Sequence, residues 1–361
     1  MCARIPDARG RYGSLLSDGR ILSPGICSRC AIRRPRVQNR VARSKAHNFG
    51  KGPLVLKVGM RKVLVTGASG FIGRQALLPL IEKGFEVHGT YLNEPLKGVG
   101  NVEWHKVDLL DLESTNIFMR TLHATHLLHF AWYAVPGQYW TSAENMRWKE
   151  ATLALLTMFG ENGGVRATLA GTCAEYDWTH GQDILSENSS IKPATLYGKS
   201  KHETHLWAEK FSEKNGISLA WGRIFYLYGP YENSVRLVPS VINSLLDNKP
   251  ALATTGEQIL DFLHVEDVAS AFAKLLDSNV TGPVNIASGT GVAVRDVVLS
   301  IADIMEKRDL VRLGAKQRNL HEPARIVADA KRLQKEVCWN PKYDLATGLQ
   351  NTILWWQANK A

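Results

Sequence analysis

Short apolar runs alternate with longer amphipathic stretches from about residue 60 onward. Apolar runs bounded by Gly, Asn or Asp indicate buried strands. The segments that we interpret as strands occupy residues 63–65, 85–91, 102–107, 126–131, 167–171 and 218–225. Helical spacing follows the first run over residues 71–83 and recurs over residues 196–214. This alternation predicts about six parallel strands covered by helices on both faces, so we expect an α/β fold with a Rossmann-type doubly wound sheet.

The pattern changes after Gly229, toward loops and helices, with helical spacing over residues 237–246 and 297–306. We interpret this part as a smaller C-terminal α/β lobe that binds substrate at the carboxyl ends of the strands. The expected division is a dinucleotide-binding domain over 60–228 with a returning segment at about 261–288, and a substrate lobe over 229–260 and 289–361.

The net charge of +10 is concentrated at the N-terminus. Residues 1–59 hold ten Arg and three Lys against Asp7 and Asp18, while the rest of the chain holds 31 basic and 32 acidic residues. The charge of the body therefore predicts neither a nucleic-acid nor a membrane partner. The basic segment lacks apolar periodicity, and we expect it to be a disordered leader. It is either a targeting peptide or, as we prefer, a start-site artefact ahead of Met60.

The cysteines point away from a metal centre. Cys27 and Cys30 have the spacing of half a zinc site, but no second Cys or His pair follows at a usable distance, so we expect no metal. Cys173 and Cys338 are the only cysteines of the body. So few cysteines favour a reduced, cytoplasmic protein.

A glycine-rich turn, Thr-Gly-Ala-Ser-Gly-Phe-Ile-Gly over residues 66–73, joins the first strand to the first helix. Its glycines permit a tight turn and close approach of the backbone to a pyrophosphate. The helix N-terminus adds free N–H groups and a positive dipole end. We therefore expect a dinucleotide cofactor here, in contact with Gly67, Ser69, Gly70, Phe71, Ile72 and Gly73.

Two features favour NADP(H) over NAD(H). The second strand ends near Tyr91, an expected cofactor contact, without the Asp or Glu that usually binds the ribose 2′-hydroxyl. Arg74 follows the third glycine and offers a planar donor fork to a 2′-phosphate. Glu94 lies just past the strand and keeps NAD(H) open.

Tyr197 and Lys201 stand four residues apart at the start of a predicted helix. Residues with this spacing share a helix face, and a nearby cation favours the phenolate form of tyrosine. Such a tyrosine can exchange a proton with a carbonyl or alcohol oxygen while a hydride moves to or from the adjacent carbon.

Together these motifs resemble the extended short-chain dehydrogenase/reductases, specifically the NAD(P)-dependent sugar-nucleotide epimerase/dehydratase family. The resemblance covers the chain from Met60 to about Trp356. It implies that Tyr197 is the acid/base, that Thr172 hydrogen-bonds the reacting oxygen, and that Lys201 holds the nicotinamide ribose and lowers the pKa of Tyr197. The other cofactor contacts it implies are Asp108, Leu109, Phe130, Ala131, Trp132, Ile224 and Phe225.

Departures from the family pattern narrow the choice among the reactions that the family catalyses. Dehydratases of the family carry Asp-Glu after the catalytic Thr, where this chain has Cys173 and Ala174. Without that acid and base we expect no water elimination. Cys173 is also one residue away from the position used by C3/C5 epimerases, so we expect it to pack in the core. A ketoreductase remains, with an NAD-dependent C4 epimerase or a non-catalytic dinucleotide-binding scaffold as the alternatives.

The substrate is indicated by an aromatic segment, residues 132–140, and by the sequence Gly-Thr-Cys-Ala-Glu-Tyr over residues 171–176. Both are similar to the branch that reduces 4-keto-6-deoxy sugar nucleotides, such as CDP-abequose synthases. The expected substrate contacts are Tyr133, Thr172, Glu175, Tyr226 and Arg236. Leu260 and Asn319 replace two usual nucleotide-binding arginines, which leaves the nucleotide open. The resemblance also suggests a homodimer through the helices at about 142–160 and 196–214.

Overall fold

The framework of the fold is a set of strands, which the computed structural model describes within residues 61–179, 184–317 and 323–360. In chain order they are β1 (Lys62–Thr66), β2 (Glu86–Tyr91), β3 (Val102–Lys106), β4 (His126–His129), β5 (Arg166–Thr172), β6 (Ser218–Ile224), β7 (Tyr226–Tyr228), β8 (Ala251–Leu252), β9 (Ile259–His264), β10 (Gly282–Ile286), β11 (Gly291–Ala293), β12 (Val311–Arg312) and β13 (Arg325–Ile326). Seven form a parallel sheet in the order β10-β6-β5-β4-β1-β2-β3. The strand order reverses between β1 and β4, because β2 and β3 are added on one side of this pair and β5, β6 and β10 on the other. A reversal of this kind opens a ligand-binding crevice at the carboxyl ends of the two strands. The basic leader and Asn319 lie outside the described residues.

The helices are α1 (Gly73–Glu82), α2 (Leu112–Leu122), α3 (Glu144–Glu161), α4 (Leu196–Asn215), α5 (Leu237–Leu246), α6 (Val265–Leu276), α7 (Val294–Ile304), α8 (Lys331–Lys335) and α9 (Leu345–Asn359). Their ends follow from local chemistry. The side chain of Thr195 accepts a hydrogen bond from Gly198 N at 3.1 Å and so begins α4. Gly216, with φ of 70°, ends the same helix in the left-handed conformation.

Helices cover both faces of the main sheet. On one face α1 and α6 bury Leu77, Leu80 and Phe272 against β1, β2 and β10. On the other face α2, α3 and α4 bury residues such as Met119 and Phe159. Because both faces are covered, central strands bury apolar residues on both sides, as β1 does with Val63 and Val65 on one face and Leu64 on the other.

A second layer of structure follows β6. A smaller sheet has the order β11-β9-β13, and β7 pairs with β9. Helices α5, α7 and α9 share a separate core that includes Val241, Ile301 and Ile353. The connection β9–α6–β10 leaves this small sheet, packs α6 beside α1 and adds β10 to the main sheet.

The doubly wound α/β class is confirmed, with two corrections to the elements. The main sheet has seven strands, and the sequence pattern missed β10 because Gly282 and Pro283 interrupt its apolar run. The strand β5 ends at Thr172, and a 3₁₀ turn, Cys173–Glu175, follows it. Cys173 therefore lies in a turn and not on the strand. Its thiol is nevertheless buried, and burial raises the pKa of Cys173 to about 12.

Candidate active site

The turn after β1 has the geometry of a phosphate cradle. Gly67 has φ of +65°, and a Cβ there would lie 2.9 Å from Ala131 N. A Cβ on Gly73 would overlap the carbonyl oxygen of Gly67. Helix α1 starts at Gly73 and has no side-chain N-cap, so the positive end of its dipole faces the turn without a protein side chain on it. The turn therefore fits the pyrophosphate of a dinucleotide.

Arg74 lies at the mouth of this turn and faces the C-terminal lobe. Its Nη2 donates to Ser69 O at 3.2 Å, and its guanidinium lies 3.8 Å from the ring centroid of Tyr231, between β7 and α5. Burial lowers the pKa of Arg74. Its Nε is buried without a hydrogen-bond partner among the described residues. Because buried donors are normally hydrogen-bonded, the Nε–H of Arg74 could donate to an acceptor atom of a bound ligand.

Three of the expected cofactor contacts lie at the carboxyl ends of β2 and β3. Tyr91 is the last residue of β2, with its ring edge-on to Trp104 at 6.3 Å. Asp108 is exposed and accepts from Leu110 N at 2.9 Å. Leu109 is buried in the core below α2. Asp108 and Tyr91 therefore keep exposed surface near the cradle, whereas Leu109 supports it from inside.

The end of β4 forms the opposite wall of the crevice. Phe130 packs edge-on against Phe272, with ring centroids 4.9 Å apart, and Ala131 N donates to Thr66 Oγ1 at 3.4 Å. Trp132 Nε1 donates to Asn145 Oδ1 at 2.9 Å, which fixes the indole ring.

Tyr197 lies in the first turn of α4 and is enclosed by aromatic rings. Its ring is edge-on to Tyr139 and Trp140, at centroid distances of 5.0 Å and 5.8 Å. Its backbone N–H donates to Trp140 O at 3.1 Å. Burial raises the pKa of Tyr197, and a hydrogen bond with the Thr172 side chain opposes this shift. The side chains of Thr172, at the end of β5, and Tyr197 are thus near each other, as two groups that share one substrate oxygen must be.

Lys201 is buried one turn further along α4. Its Nζ donates to Ala170 O at 2.9 Å and lies 3.7 Å from the ring centroid of Trp132. Burial lowers the pKa of Lys201 to about 7, against an opposing effect of Glu175. Because the ammonium already has these two contacts, the expectation that it lowers the pKa of Tyr197 stays a prediction.

Glu175 is placed differently from our expectation of a substrate contact. Its side chain has no exposed surface. Oε1 accepts from Thr172 N and from Trp221 Nε1, each at 2.9 Å, and Oε2 accepts from Arg223 Nε at 3.1 Å. We therefore withdraw Glu175 as a substrate ligand, because it holds the 3₁₀ turn behind Thr172 from inside.

A polar network that the sequence did not reveal continues from this ion pair. Arg223 Nη1 donates to Tyr176 OH at 3.1 Å, and Tyr176 OH donates to Asn285 Oδ1 at 2.6 Å. His205 stacks on Trp221 with centroids 4.8 Å apart, and burial lowers its pKa to about 3. The network links β5, β6 and β10 below the site. Glu175 and Tyr176 lie in the segment 171–176 that resembles the reductase branch, and no local spacing predicts that Arg223, Asn285 and His205 meet them.

The remaining expected residues are distributed around the cleft. Tyr133 OH donates to Gln138 Oε1 at 2.9 Å on the exposed side. The Arg236 guanidinium lies 5.3 Å from the ring centroid of Tyr139, the ring that contacts Tyr197. Tyr226 is half-buried, with its ring 5.9 Å from that of Phe262. Arg236 therefore contacts an aromatic ring that itself contacts Tyr197.

The two residues expected to flank the nicotinamide differ in burial. Ile224, the last residue of β6, keeps partial exposure. Phe225 is buried among core side chains, its ring 6.1 Å from that of Tyr176, and its N–H donates to Ile286 O. Ile224 is thus the better placed of the two for a ligand contact.

A phosphate cradle and a Tyr-x-x-x-Lys helix at one edge of a doubly wound sheet define an extended short-chain dehydrogenase/reductase. The chain belongs to the NAD dependent epimerase/dehydratase family, whose sequence profile matches residues 63–287.

Individual relatives span several reactions. The chain is 24% identical to a probable dTDP-glucose 4,6-dehydratase of Sinorhizobium fredii over 328 residues, which cover 82% of this chain and 93% of the relative. It is 22% identical to the CDP-abequose synthase of Salmonella typhimurium over 303 residues, 81% of this chain and 97% of the relative.

Solved structures agree with the fold. A UDP-glucose 4-epimerase of Thermotoga maritima with UDP-glucose has a TM-score of 0.76 at 20% identity, covering 83% of this chain and all of that one (100%). A dTDP-glucose 4,6-dehydratase of Bacillus anthracis in complex with NAD has a TM-score of 0.73 at 20% identity, covering 83% and 97%. Among the residues that the structure describes, no helix combines the length and apolar character needed to span a membrane.

Proposed function

We propose that the protein reduces a keto group, at C4, of a nucleotide-activated 6-deoxy sugar, with NADPH as the reductant. One observation carries the proposal. The Thr172 side chain is close enough to Tyr197 to act on its pKa, and the two residues after Thr172 are Cys173 and Ala174, which supply no carboxyl group. Reduction of a ketone needs one proton and one hydride and no further acid or base.

The residues of this chain divide the work as follows. The cofactor, held by the glycine-rich turn, supplies a hydride when bound. Tyr197 donates its phenolic proton to the keto oxygen as that oxygen becomes an alcohol. The Thr172 hydroxyl hydrogen-bonds the same oxygen and orients it. Lys201 stabilises the phenolate that Tyr197 leaves behind, and Tyr139 and Trp140 exclude water around the phenol.

A dehydratase activity fits the site less well, although several relatives are dehydratases. Elimination of water needs a base at one carbon and an acid at the leaving hydroxyl. The buried thiol of Cys173, with its pKa raised to about 12, supplies neither at neutral pH. Glu175 has its carboxylate oxygens committed to Thr172, Trp221 and Arg223.

The preference for NADPH over NADH is a separate part of the proposal. It is supported by Arg74, whose buried Nε lacks a partner among the described residues, and by the absence of an acid in β2 beyond Glu86 at its far end. The similar dehydratase of Bacillus anthracis binds NAD. Both cofactors therefore belong in any assay.

A C4 epimerase is the second candidate, because the similar Thermotoga maritima structure is a UDP-glucose 4-epimerase. An epimerase would oxidise and re-reduce the same carbon with a tightly held NAD⁺ and need no added reductant.

We also propose a cytoplasmic protein that forms a homodimer through α3 and α4, where Met146 and Leu206 are exposed.

The test is a screen of 4-keto-6-deoxy sugar nucleotides with different bases, following the consumption of NADPH and of NADH. We expect consumption with at least one such sugar and none with the matched 4-hydroxy sugars. Turnover of the 4-hydroxy sugars without added reductant would instead support the epimerase. Consumption of neither cofactor with any sugar would contradict the proposal.

A further inference from the structure

Two Glu-x-His pairs lie side by side on the edge of the main sheet. Glu86 and His88 belong to β2, and Glu103 and His105 belong to the adjacent edge strand β3. Residues two apart on a strand face the same side of a sheet. The parallel register sets His88 opposite Glu103, so the four side chains gather on one face. That face is covered by α2, whose Phe118 ring lies 4.9 Å from the His105 ring.

Three atoms of this group have the spacing of metal ligands. His88 Nδ1 lies 2.9 Å from His105 Nε2 and 3.6 Å from Glu103 Oε2. His105 Nε2 lies 3.8 Å from Glu103 Oε1. A tetrahedral zinc ion with bonds of about 2.0–2.2 Å holds its ligand atoms roughly 3.3–3.6 Å apart. The observed distances bracket that value, so small rotations of the side chains would bring all three atoms to one ion.

The fourth residue, Glu86, fixes the protonation of His88. Its Oε1 lies 2.8 Å from His88 Nε2. A carboxylate only accepts hydrogen bonds, so His88 Nε2 carries the proton and Nδ1 presents its lone pair to His105 and Glu103. Histidines that bind metals usually donate their second ring N–H to a carboxylate in this manner.

We propose that His88 Nδ1, His105 Nε2 and Glu103 bind a divalent transition-metal ion such as Zn²⁺, with Glu86 as the residue that orients His88. His105 provides Nε2 as a ligand when its ring is neutral and carries the proton on Nδ1. Imidazole and carboxylate together suit zinc. The side chain of Glu103 is 65% exposed and gives the ion an entry path.

The charges around the group are compatible with a cation. Two carboxylates face one ammonium, that of Lys62, whose Nζ lies 3.4 Å from Glu86 Oε1. The ion would join the edge strand β3 to β2. This inference does not depend on the proposed reaction, because the group lies on β2 and β3, whereas Tyr197 lies on α4 and Thr172 at the end of β5.

A second group, Glu175 with His202 and His205, also brings three such residues together. We do not expect this group to bind a metal ion. Arg223 Nε donates to Glu175 Oε2 at 3.1 Å, and Thr172 N and Trp221 Nε1 donate to Glu175 Oε1. The group on β2 and β3 has no arginine partner of this kind within the described residues.

Zinc binding tests the inference directly. Calorimetric titration of Zn²⁺ would use the full chain with Cys27→Ser and Cys30→Ser, so that leader thiolates do not contribute. We expect one ion per chain at micromolar concentration and a higher thermal unfolding temperature. His105→Gln and Glu103→Gln should each weaken binding at least tenfold, and Glu86→Gln should weaken it about tenfold through His88.

The matched control is His123→Asn, which removes an exposed histidine at the end of α2 and suits the left-handed backbone there. It should bind zinc like the parent. Unchanged zinc affinity in folded His105→Gln and Glu103→Gln would overturn the site, as would the absence of stoichiometric binding by the parent. Circular dichroism of each variant establishes that it is folded.

Discussion

Glu175 and Arg223 form a buried ion pair, Oε2 to Nε 3.1 Å, directly behind the hydroxyl of Thr172. The other oxygen of the carboxylate accepts from the backbone N–H of Thr172 at 2.9 Å. The pair therefore positions one of the two hydroxyls on which the proposed reaction depends. Buried ion pairs are costly to break, because the remaining partner keeps an uncompensated charge.

Glu175→Gln should accordingly destabilise the protein by about 3–5 kcal/mol, the cost of an unpaired buried charge. The amide retains the size of the side chain but leaves the Arg223 guanidinium without its counter-charge. Urea unfolding measures the change. Glu203→Gln, which removes an exposed carboxylate paired with Lys149, is the control and should change stability by about 0–1 kcal/mol. Equal stability of the two variants would contradict the role of the pair.

Gly73→Ala should abolish dinucleotide binding. The added Cβ would overlap the carbonyl oxygen of Gly67, so the turn must open and lose its fit to a pyrophosphate. Fluorescence titration with NADPH and NADH measures the loss. The control is Ala76→Gly, which alters the same helix, α1, without adding an atom to the turn. Ala76→Gly also removes a buried methyl group, so it should cost about 1–2 kcal/mol of stability and still bind cofactor. Normal binding by Gly73→Ala would exclude the turn as the cofactor site.

The cofactor-free protein should gain stability with rising pH through Lys201. Burial lowers the pKa of Lys201 to about 7 from 10.5. Between these values the unfolded chain holds a proton that the folded chain has released, so the free energy of unfolding rises with pH in this window. It falls again as the pH drops toward 7. The slope from this group is at most about 1.4 kcal/mol per pH unit.

The measurement compares the wild type with Lys201→Met in urea at several values from pH 7 to pH 10. The stability of the wild type relative to Lys201→Met should rise over this range. Lys210→Met removes an exposed lysine of the same helix and should follow the wild type. A constant difference between the wild type and Lys201→Met would show that Lys201 is not held in a desolvated site.

Arg74→Ala should weaken NADPH more than NADH. Hydrogen bonds to a charged group are worth about 1.5–3 kcal/mol, and only NADPH carries the 2′-phosphate. The dissociation constants of both cofactors for both proteins, taken at one salt concentration, measure this selectivity. An equal effect on the two cofactors would remove the reason to prefer NADPH.

Local patterns in the sequence predicted the parallel sheet and the glycine-rich turn after its first strand. The order strand, glycine-rich turn and helix is contiguous, so Gly67, Gly70 and Gly73 could be assigned before their coordinates were known. The same holds for Tyr197 and Lys201, which one helix brings together. These features depend on neighbours in the chain, where periodicity and spacing are informative.

Contacts between distant segments were not predictable in this way. Glu175 looked like a substrate ligand because it follows the catalytic strand, but Trp221 and Arg223 on β6 bury it. Likewise, the Glu-x-His pairs of β2 and β3 become a cluster only through the register of two strands. Arg74 was expected to face the ribose phosphate, and its stacking on Tyr231 depends on a loop more than 150 residues away.

The most direct test of the central claim is the turnover of Tyr197→Phe with the substrate found in the sugar-nucleotide screen. The variant removes only the phenolic hydroxyl and keeps the ring between Tyr139 and Trp140. Tyr228→Phe, which alters a buried tyrosine of the C-terminal lobe, is the control. We predict that Tyr197→Phe lowers kcat by about 10²–10⁴-fold, with NADPH affinity nearly unchanged. Wild-type kcat in a folded Tyr197→Phe variant would contradict the assignment of Tyr197 as the proton donor.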